Sequence, residues 1–190
     1  RNEDFVATAE KIAQLAYDQE VSDVDTFKTL KLDGLEIAEH LKSMVGKIGE
    51  KIDVSRIEMI NSNGSIISYI HPGAQLAVLV EFEGAVDQEI GKDVAMQVAA
   101  MNPIAVNKED VDASVLDKEL EIAKEQLINE GKPADIAEKA AMGKVRRFYE
   151  ERVLNEQKFV KDSAVTVRDY LKSKSAPAIV SFKRIQLGDN

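Results

Sequence analysis

The sequence predicts an α+β fold: antiparallel sheet subdomains with packed helices and an inserted antiparallel helical hairpin, a coiled coil. Three observations predict it. Apolar residues recur at helical spacing near the start of the chain, at 87–101 and over 113–152. Apolar and polar residues mostly alternate over 52–60, as they do in half-buried strands, and residues 65–70 and 75–82 are also β-rich. A sharp break at 131–133 separates two adjacent helical patterns, which indicates a helical hairpin.

Two helical patterns open the chain. Asn2 is a candidate N-cap for the first helix, and Phe5 is expected to be its first buried residue. The second pattern begins at Leu35, continues to Ile48 and stops at Gly49. The sequence therefore predicts two short helices before the first strand.

The middle of the chain is predicted to form a three-stranded antiparallel meander from residues 52–60, 65–70 and 75–82. Asn63-Gly64 is the expected hairpin turn between the first two strands, because both residues tolerate positive φ. Pro72-Gly73 is the expected turn before the third strand.

The second half returns to helical periods. A helix is predicted over 87–101 and is ended by Pro103, and the segment 165–187 is predicted to contain a short helix and a strand that could complete the sheet. The two helices of the hairpin are expected over 113–128 and 135–152. Their predicted seam consists of Leu120, Ala123 and Leu127 against Ile136, Ala140 and Val145.

These elements predict three structural parts. Residues 1–62 are expected to form an N-terminal core subdomain. Residues 63–106 and 153–190 are expected to form a C-terminal core subdomain, with the helical hairpin inserted as residues 107–152.

Composition excludes several classes of function. The net charge of −9 argues against general nucleic-acid binding, because the phosphates would be repelled. There is no cysteine, so neither a disulfide framework nor a thiolate site is possible. No apolar run approaches the length of a transmembrane helix, about 20 residues. We expect a cytoplasmic protein with no membrane partner and no direct contact with nucleic acid.

No constellation of residues predicts catalysis or a metal site. The only histidines are His40, expected at the surface or boundary of a helix, and His71, and neither has a partner at metal-ligand spacing. Glu109, Asp110 and Asp112 precede a helix, where carboxylates favour the helix dipole and cap the N-terminus. The residues alone thus indicate an acidic interaction protein that is not an enzyme and requires neither cofactor nor metal.

Ordered short motifs cover nearly the whole chain and carry a resemblance. They are Lys47-Ile48-Gly49-Glu50-Lys51-Ile52, Tyr69-Ile70-His71, the run from Ala95 to Pro103, Gly131-Lys132-Pro133, Ile136-Ala137-Glu138-Lys139, Gly143-Lys144 with Phe148, Glu156-Gln157-Lys158-Phe159-Val160 and Phe182-Lys183-Arg184. Each motif is weak alone, but the ordered set is specific. By these motifs the chain resembles bacterial-type elongation factor Ts.

The resemblance implies a guanine-nucleotide exchange factor in translation elongation. Such a factor binds elongation factor Tu and promotes GDP release by favouring the nucleotide-free form. It implies that Ile48, Gly49 and His71 contact elongation factor Tu. The residues alone also permit a buried Ile48 beside a plain helix-terminating Gly49, and a solvated His71 in a turn.

The resemblance also bears on the start of the chain. Asp4-Phe5 looks like the family's Asp-Phe exchange tip, but Arg1 and Phe5 fit the positions after that tip better. We therefore expect that the tip and the N-terminal helical module are not among these 190 residues. We also expect this form to bind elongation factor Tu weakly and to accelerate GDP release from it poorly. In the other register, Asp4-Phe5 is the tip. The alternative function is a non-catalytic structural or oligomerisation protein acting through the helical hairpin, and a homodimer is among the partners considered.

Overall fold

The computed structural model describes residues 2–189, and it confirms the predicted α+β class. The chain divides into two compact units, Arg1–Asn61 and Ser62–Asn190, here called unit 1 and unit 2. Among the described residues, no helix has both the length and the apolar character needed to cross a membrane.

Unit 1 contains three helices and one very short two-stranded ladder. Its elements are α1 (Glu3–Gln19), α2 (Val24–Lys28), β1 (Lys31–Leu32), β2 (Leu35–Glu36) and α3 (Ile37–Ile48). β1 and β2 pair antiparallel, and their ladder leads directly into α3. Sequence periodicity found α1 and α3 but not α2 or this ladder, because both are too short to show a period.

The N-terminus of α1 is capped as predicted, with the Phe5 backbone N–H donating to Asn2 Oδ1 at 3.1 Å. The expectation that Phe5 is buried is wrong, since its exposed fraction is 41%. Only the C-terminal half of α1 reaches the unit 1 core, through Ala16 and the half-buried Ile12 and Leu15. Arg1, on which the register argument partly depends, lies outside the described residues.

Residues 52–60 do not form the predicted strand. Their apolar residues Ile52, Val54 and Ile57 pack instead against the unit 1 core, whose centre is the fully buried Phe27. Burial alternates only at the start of this segment, where Ile52 and Val54 lie between exposed neighbours, and residues 57–60 are all half-buried. Such burial needs no hydrogen-bonded partner strand, and the segment pairs with none among residues 2–189.

Unit 2 is built on one three-stranded antiparallel sheet with helices. Its elements are β3 (Ser65–Ile70), β4 (Leu76–Phe82), α4 (Gln88–Met101), α5 (Ala113–Asn129), α6 (Ala134–Arg152), β5 (Lys158–Phe159), β6 (Asp162–Thr166), α7 (Val167–Ser173) and β7 (Ile179–Gln186). The strand order is β3-β4-β7. The last strand thus completes the sheet, as the sequence predicted, while β5 and β6 form a separate ladder that was not predicted.

Asn63-Gly64 is not the hairpin turn that the sequence predicted. It directly precedes β3, and the segment just before it is not a strand. A Cβ on Gly64 would lie 1.9 Å from the Phe82 carbonyl oxygen. Glycine is required there because two backbone segments approach closely. The Pro72-Gly73 turn is confirmed, since it joins the antiparallel strands β3 and β4.

One face of the sheet forms the main core of unit 2. Ile67, Val78, Val80 and Phe82 point from β3 and β4 toward the same side, because alternate residues of a strand share a face. α4 lies on this side and contributes Val94, Ala95, Val98 and Ala99 to the same cluster. A Cβ on Gly91 would lie 2.5 Å from Ile67 Cγ1, so this glycine sets how closely α4 approaches the sheet.

Helices α5 and α6 follow one another with a short connection and pack together. Their buried seam consists of Ala123 and Leu127 against Ala137 and Ala141, with Leu120 and Ala140 half-buried beside it. The prediction that Ile136 lies in the seam is wrong, because half of its side chain is exposed. The alanine next to it, Ala137, faces α5 instead.

The chain enters and leaves the α5–α6 segment at adjacent points. Arg152 O accepts from Ile104 N at 2.8 Å, and Ala105 O accepts from Leu154 N at 2.9 Å. Next to these bonds the Asn155 side-chain amide donates to Asn107 Oδ1 at 2.8 Å. We call these paired residues the neck of the segment.

Candidate functional site

Ile48 and Gly49 lie at the C-terminal end of α3. Ile48 is the last helical residue and is half-buried, while Gly49 is exposed and adopts φ +79° in the left-handed region. Gly49 N donates to Val45 O at 2.8 Å, which closes the helix. The space around its Cβ position is open to 4 Å. The helix end therefore presents a half-accessible apolar side chain next to a backbone that another molecule can approach closely.

His71 directly follows β3 in the turn to β4 and is exposed. Its backbone is fixed, because His71 N donates to Leu76 O and His71 O accepts from Ala74 N, both at 2.9 Å. The Tyr69 hydroxyl lies 2.9 Å from Nδ1 of the imidazole. The two rings meet edge to face with their centroids 6.0 Å apart.

A groove of about 290 Å³ opens beside His71. Its walls come from the β3–β4 hairpin, from α4 and from the segment after Gln157. They are mainly apolar, with charged residues at one end. The lining residues are Tyr69, His71, Leu76, Asp93, Met96, Gln97, Ala99, Ala100, Phe159, Val160 and Lys161.

The charged end of the groove is an ionic and hydrogen-bonded cluster around Asp93 of α4. The Asp93 carboxylate pairs with the Lys161 ammonium and accepts from the Tyr170 hydroxyl at 2.9 Å. Burial, and then the bond to Asp93, raise the pKa of Tyr170 to about 12. The hydrogen bond to Asp93 also raises the pKa of Lys161 above its usual value. This cluster ties the turn after β5 to α4.

The floor of the groove contains Gln97, which is almost fully buried. Its amide nitrogen donates to Gln157 Oε1 at 3.2 Å and to Lys158 O at 3.0 Å, and its Oε1 accepts from Val160 N at 2.8 Å. Because buried amides are costly when unpaired, these bonds select one position for the segment 157–160 on α4. That segment is one of the motifs that carried the resemblance.

The remaining candidate residues have structural roles. His40 Nε2 lies 2.6 Å from Leu32 O and is half-buried in unit 1. Asp112 caps α5 by accepting from Ser114 N at 2.7 Å, which confirms the capping interpretation for this residue. Asp110 instead accepts from Asn107 N in the short turn that precedes α5. Within residues 2–189, no three or more His, Asp and Glu side chains are grouped closely enough to hold a metal ion.

Sequence reasoning named His71 but missed Tyr69, whose hydroxyl lies within hydrogen-bond distance of the imidazole. The signal was present, because residues two apart on a strand point to the same side, and Tyr69 precedes His71 by two positions. The groove had no such signal. Its walls come from three segments that are distant in sequence, and periodicity does not predict which of them meet.

Comparison with known sequences places the chain in a class of translation factors. The family profile described as Elongation factor TS matches residues 1–189. A protein of Amoebophilus asiaticus named Elongation factor Ts is 42% identical over 192 aligned residues, covering 99% of this chain and 69% of that protein. Proteins of the same name from Porphyromonas gingivalis and Clostridium kluyveri are 39% and 42% identical, covering 98% and 99% of this chain and 69% and 66% of their own lengths.

The chain therefore belongs to the elongation factor Ts family, as the sequence motifs predicted. Its role lies in the elongation stage of protein biosynthesis. The chain spans 69% of the length of the first two relatives.

Proposed function

We propose that this chain is a guanine-nucleotide exchange factor for elongation factor Tu, which promotes GDP release by binding the nucleotide-free form. The observation that carries the proposal is the family match over residues 1–189. The proposed action is regulation by binding and uses no catalytic group or cofactor of this chain.

The thermodynamics of this action is a coupling between two binding events. If the chain lowers the affinity of elongation factor Tu for GDP, bound GDP must weaken the binding of the chain by the same factor. The chain must therefore contact the nucleotide-free shape more favourably than the GDP-bound shape. Contacts that stay the same in both shapes add affinity but do not promote release.

We propose that the end of α3 supplies one such contact. The half-buried Ile48 is held by the helix, so little side-chain entropy is lost when its accessible part packs against a partner. Gly49 leaves the adjacent space open, and any side chain there would meet the approaching surface first. Both features favour close contact of a partner with this helix end.

We propose that His71 supplies a second contact, in unit 2. The residue is exposed, its backbone is fixed by the turn, and it borders an apolar groove. A fixed polar side chain at the rim of an apolar groove is an arrangement common at protein interfaces, where a polar rim surrounds an apolar centre.

We propose the three-part organisation expected from the sequence for this function: core subdomains 1–62 and 63–106 with 153–190, and an inserted antiparallel coiled coil at 107–152. The seam between α5 and α6 and the neck at Ile104–Asn155 support the insertion.

The test is release of a fluorescent GDP analogue from elongation factor Tu, followed by stopped flow at several concentrations of the chain. Variants Ile48→Ala and His71→Ala each remove one proposed contact. Tyr17→Ala is the matched control in unit 1, because 72% of Tyr17 is exposed and no role is proposed for it. We expect weak acceleration by the parent chain, a further loss of about tenfold in each site variant, corresponding to about 1.4 kcal/mol, and no loss in the control.

Equal rates for all three variants and the parent would contradict the proposed contacts while leaving exchange intact. No acceleration and no binding by a folded parent chain, with an active factor as positive control, would overturn the exchange function itself.

The second candidate is a structural or oligomerisation role through α5 and α6. It is favoured by one observation: Ile128, Ile136 and Met142 on these helices are 52%, 50% and 65% exposed. Sedimentation velocity of the chain alone decides it. A concentration-dependent dimer that Ile136→Glu and Met142→Glu abolish would support this role, and a monomer at all concentrations would exclude it.

A further inference from the structure

Tyr69 and His71 form a pair whose geometry specifies hydrogen-bond chemistry. The phenol oxygen lies 2.9 Å from Nδ1, a normal hydrogen-bond length, and the rings are inclined at 68°. Neutral histidine has one ring nitrogen that accepts and one that donates. The hydroxyl of Tyr69 therefore selects between the two forms of His71.

The chemistry of the two groups favours Tyr69 as the donor. A phenol is the stronger acid, with an ordinary pKa near 10, and an unprotonated imidazole nitrogen is the stronger base. The hydroxyl proton then points to Nδ1, and the imidazole hydrogen is carried by Nε2. The reverse arrangement would use the phenol oxygen as acceptor and leave its proton without a partner among residues 2–189, since the pair is the only bond of this hydroxyl there.

The pair is held from both sides. Tyr69 is half-buried and packs against the main core of unit 2, so its hydroxyl has a fixed position. His71 is anchored by backbone bonds to Leu76 and Ala74. Within the described part of the chain Nε2 has no hydrogen-bond partner, and the side chain is exposed. The nitrogen that carries the hydrogen is thus the one that remains available.

We propose that Tyr69 is a positioning residue, which holds neutral His71 with its hydrogen on Nε2 and its ring in one orientation, so that His71 donates to an oxygen acceptor on the partner. The proposal rests on the proposed function, in which that partner is elongation factor Tu. The acceptor we expect is a carbonyl or carboxylate oxygen, because such an oxygen only accepts and therefore matches a group that only donates.

The first test is made on the free chain and needs no partner. The chain has only two histidines, so nitrogen NMR of imidazole-labelled protein shows two ring systems, and His71→Gln assigns them. We expect the His71 hydrogen on Nε2 and a shift of the Nδ1 resonance in Tyr69→Phe, which keeps the ring and loses the hydroxyl. A hydrogen on Nδ1, or an unchanged Nδ1 resonance in Tyr69→Phe, would overturn the positioning role.

The second test measures affinity for nucleotide-free elongation factor Tu in a double-mutant cycle. Glutamine places an amide donor near the position of Nε2 and does not need Tyr69 to orient a ring. We expect Tyr69→Phe to weaken binding about three- to tenfold in the parent chain, the range of one neutral hydrogen bond, and less than about twofold when His71→Gln is already present. Tyr17→Phe, in unit 1, is the control for loss of an exposed phenol.

The outcomes separate the two proposals. Equal effects of Tyr69→Phe with and without His71→Gln would show a role of Tyr69 in the core only and overturn the positioning role. A parent chain that does not bind elongation factor Tu would overturn the proposed function and the donor role together, and the NMR result would still decide whether Tyr69 fixes the imidazole.

Discussion

Helices α4 and α6 lie in the same unit but differ in how much of each is buried. α4 has 14 residues and buries seven of them, including Asp93 and Gln97, whereas α6 has 19 residues and buries only Ala137 and Ala141. α4 packs on a sheet and beneath the segment after Gln157, while α6 packs mainly on α5. The number of neighbours, more than the composition of the helix, therefore decides which of its residues are buried.

The difference extends to polar residues. Those of α4 are bonded to distant parts of the chain, as in the bonds from Gln97 to Gln157 and to Lys158. Those of α6 pair along its own surface, as in Arg146 with Glu150 and Arg147 with Glu151, or with the adjacent α5, as in Lys144 with Gln126. Exposed pairs of this kind contribute little to stability, about 0.3–0.5 kcal/mol each. Substitutions beneath α4 should consequently cost far more than similar substitutions on α6.

The largest expected effect is that of Phe82→Ala, in the core that α4 covers. Phe82 is fully buried, so the change removes a ring and leaves a cavity, at a cost of about 3–5 kcal/mol in the free energy of unfolding. Met142→Ala on α6 is the control and should change it by less than about 0.5 kcal/mol, because 65% of Met142 is exposed. Urea unfolding followed by circular dichroism measures both, and equal losses would contradict the comparison.

Next in size is Gln97→Leu. This change keeps the approximate volume but leaves Gln157 Oε1 and Val160 N without the bonds they make to Gln97, so we expect a loss of about 1–3 kcal/mol. Gln126→Leu on α5 removes only an exposed bond to Lys144 and should be nearly neutral. Hydrogen exchange at Val160 provides a local check, and protection that is unchanged in Gln97→Leu would count against the proposed floor of the groove.

The two helices also predict opposite signs for one substitution. Gly91→Ala in α4 drives a Cβ to within 2.5 Å of Ile67 Cγ1, and we expect a loss of about 1–3 kcal/mol from overpacking. Gly143→Ala in α6 meets nothing within 4 Å and should stabilise by about 0.5–1 kcal/mol, because alanine loses less conformational entropy in a helix. Thermal unfolding of the two variants measures the signs, and a shared sign would show that the packing of the two helices is misjudged.

The smallest expected effect is the pH dependence of the free energy of unfolding that comes from Tyr170, which is hydrogen-bonded to Asp93 of α4. Its pKa is raised from an ordinary value of 10 to about 12, so the folded state favours the neutral phenol. The stability from this group is fully present below pH 10 and is lost as the pH rises toward 12. Ultraviolet titration should show a phenol ionisation step near pH 12, and Tyr170→Phe should remove that step. A late step that persists in Tyr170→Phe would assign it to another tyrosine.

Long helices were the part of the fold that the sequence predicted well. The starts and ends of α4, α5 and α6 lie within about two residues of the prediction, because caps and helical periods are local properties. The prediction of a strand over residues 52–60 was wrong because an alternating pattern indicates burial and does not show whether a partner strand is hydrogen-bonded to the segment. Ile136 failed because the seam between α5 and α6 shifts by one residue to Ala137, and alanine carries almost no hydropathy signal.

The candidate functional residues also fall into those that local sequence predicts and those that it does not. A helix end such as Ile48-Gly49 and a turn such as that after His71 can be found from local sequence. The groove could not be, because its polar floor depends on Gln97 meeting a segment about 60 residues later in the chain. Pairings at such separation are fixed by the fold as a whole.

The neck, where Ile104 and Ala105 pair with Arg152 and Leu154, bears on how the length of the α5–α6 segment can change. Its backbone hydrogen bonds join the stretch of chain before α5 to the stretch after α6, and they do not depend on the length of the two helices. We expect that equal additions to α5 and α6 would move their connecting turn outward by about 1.5 Å per residue in each helix and leave the sheet unaltered. We therefore expect the α5–α6 segment to tolerate changes in length while the bonds at its base stay unchanged.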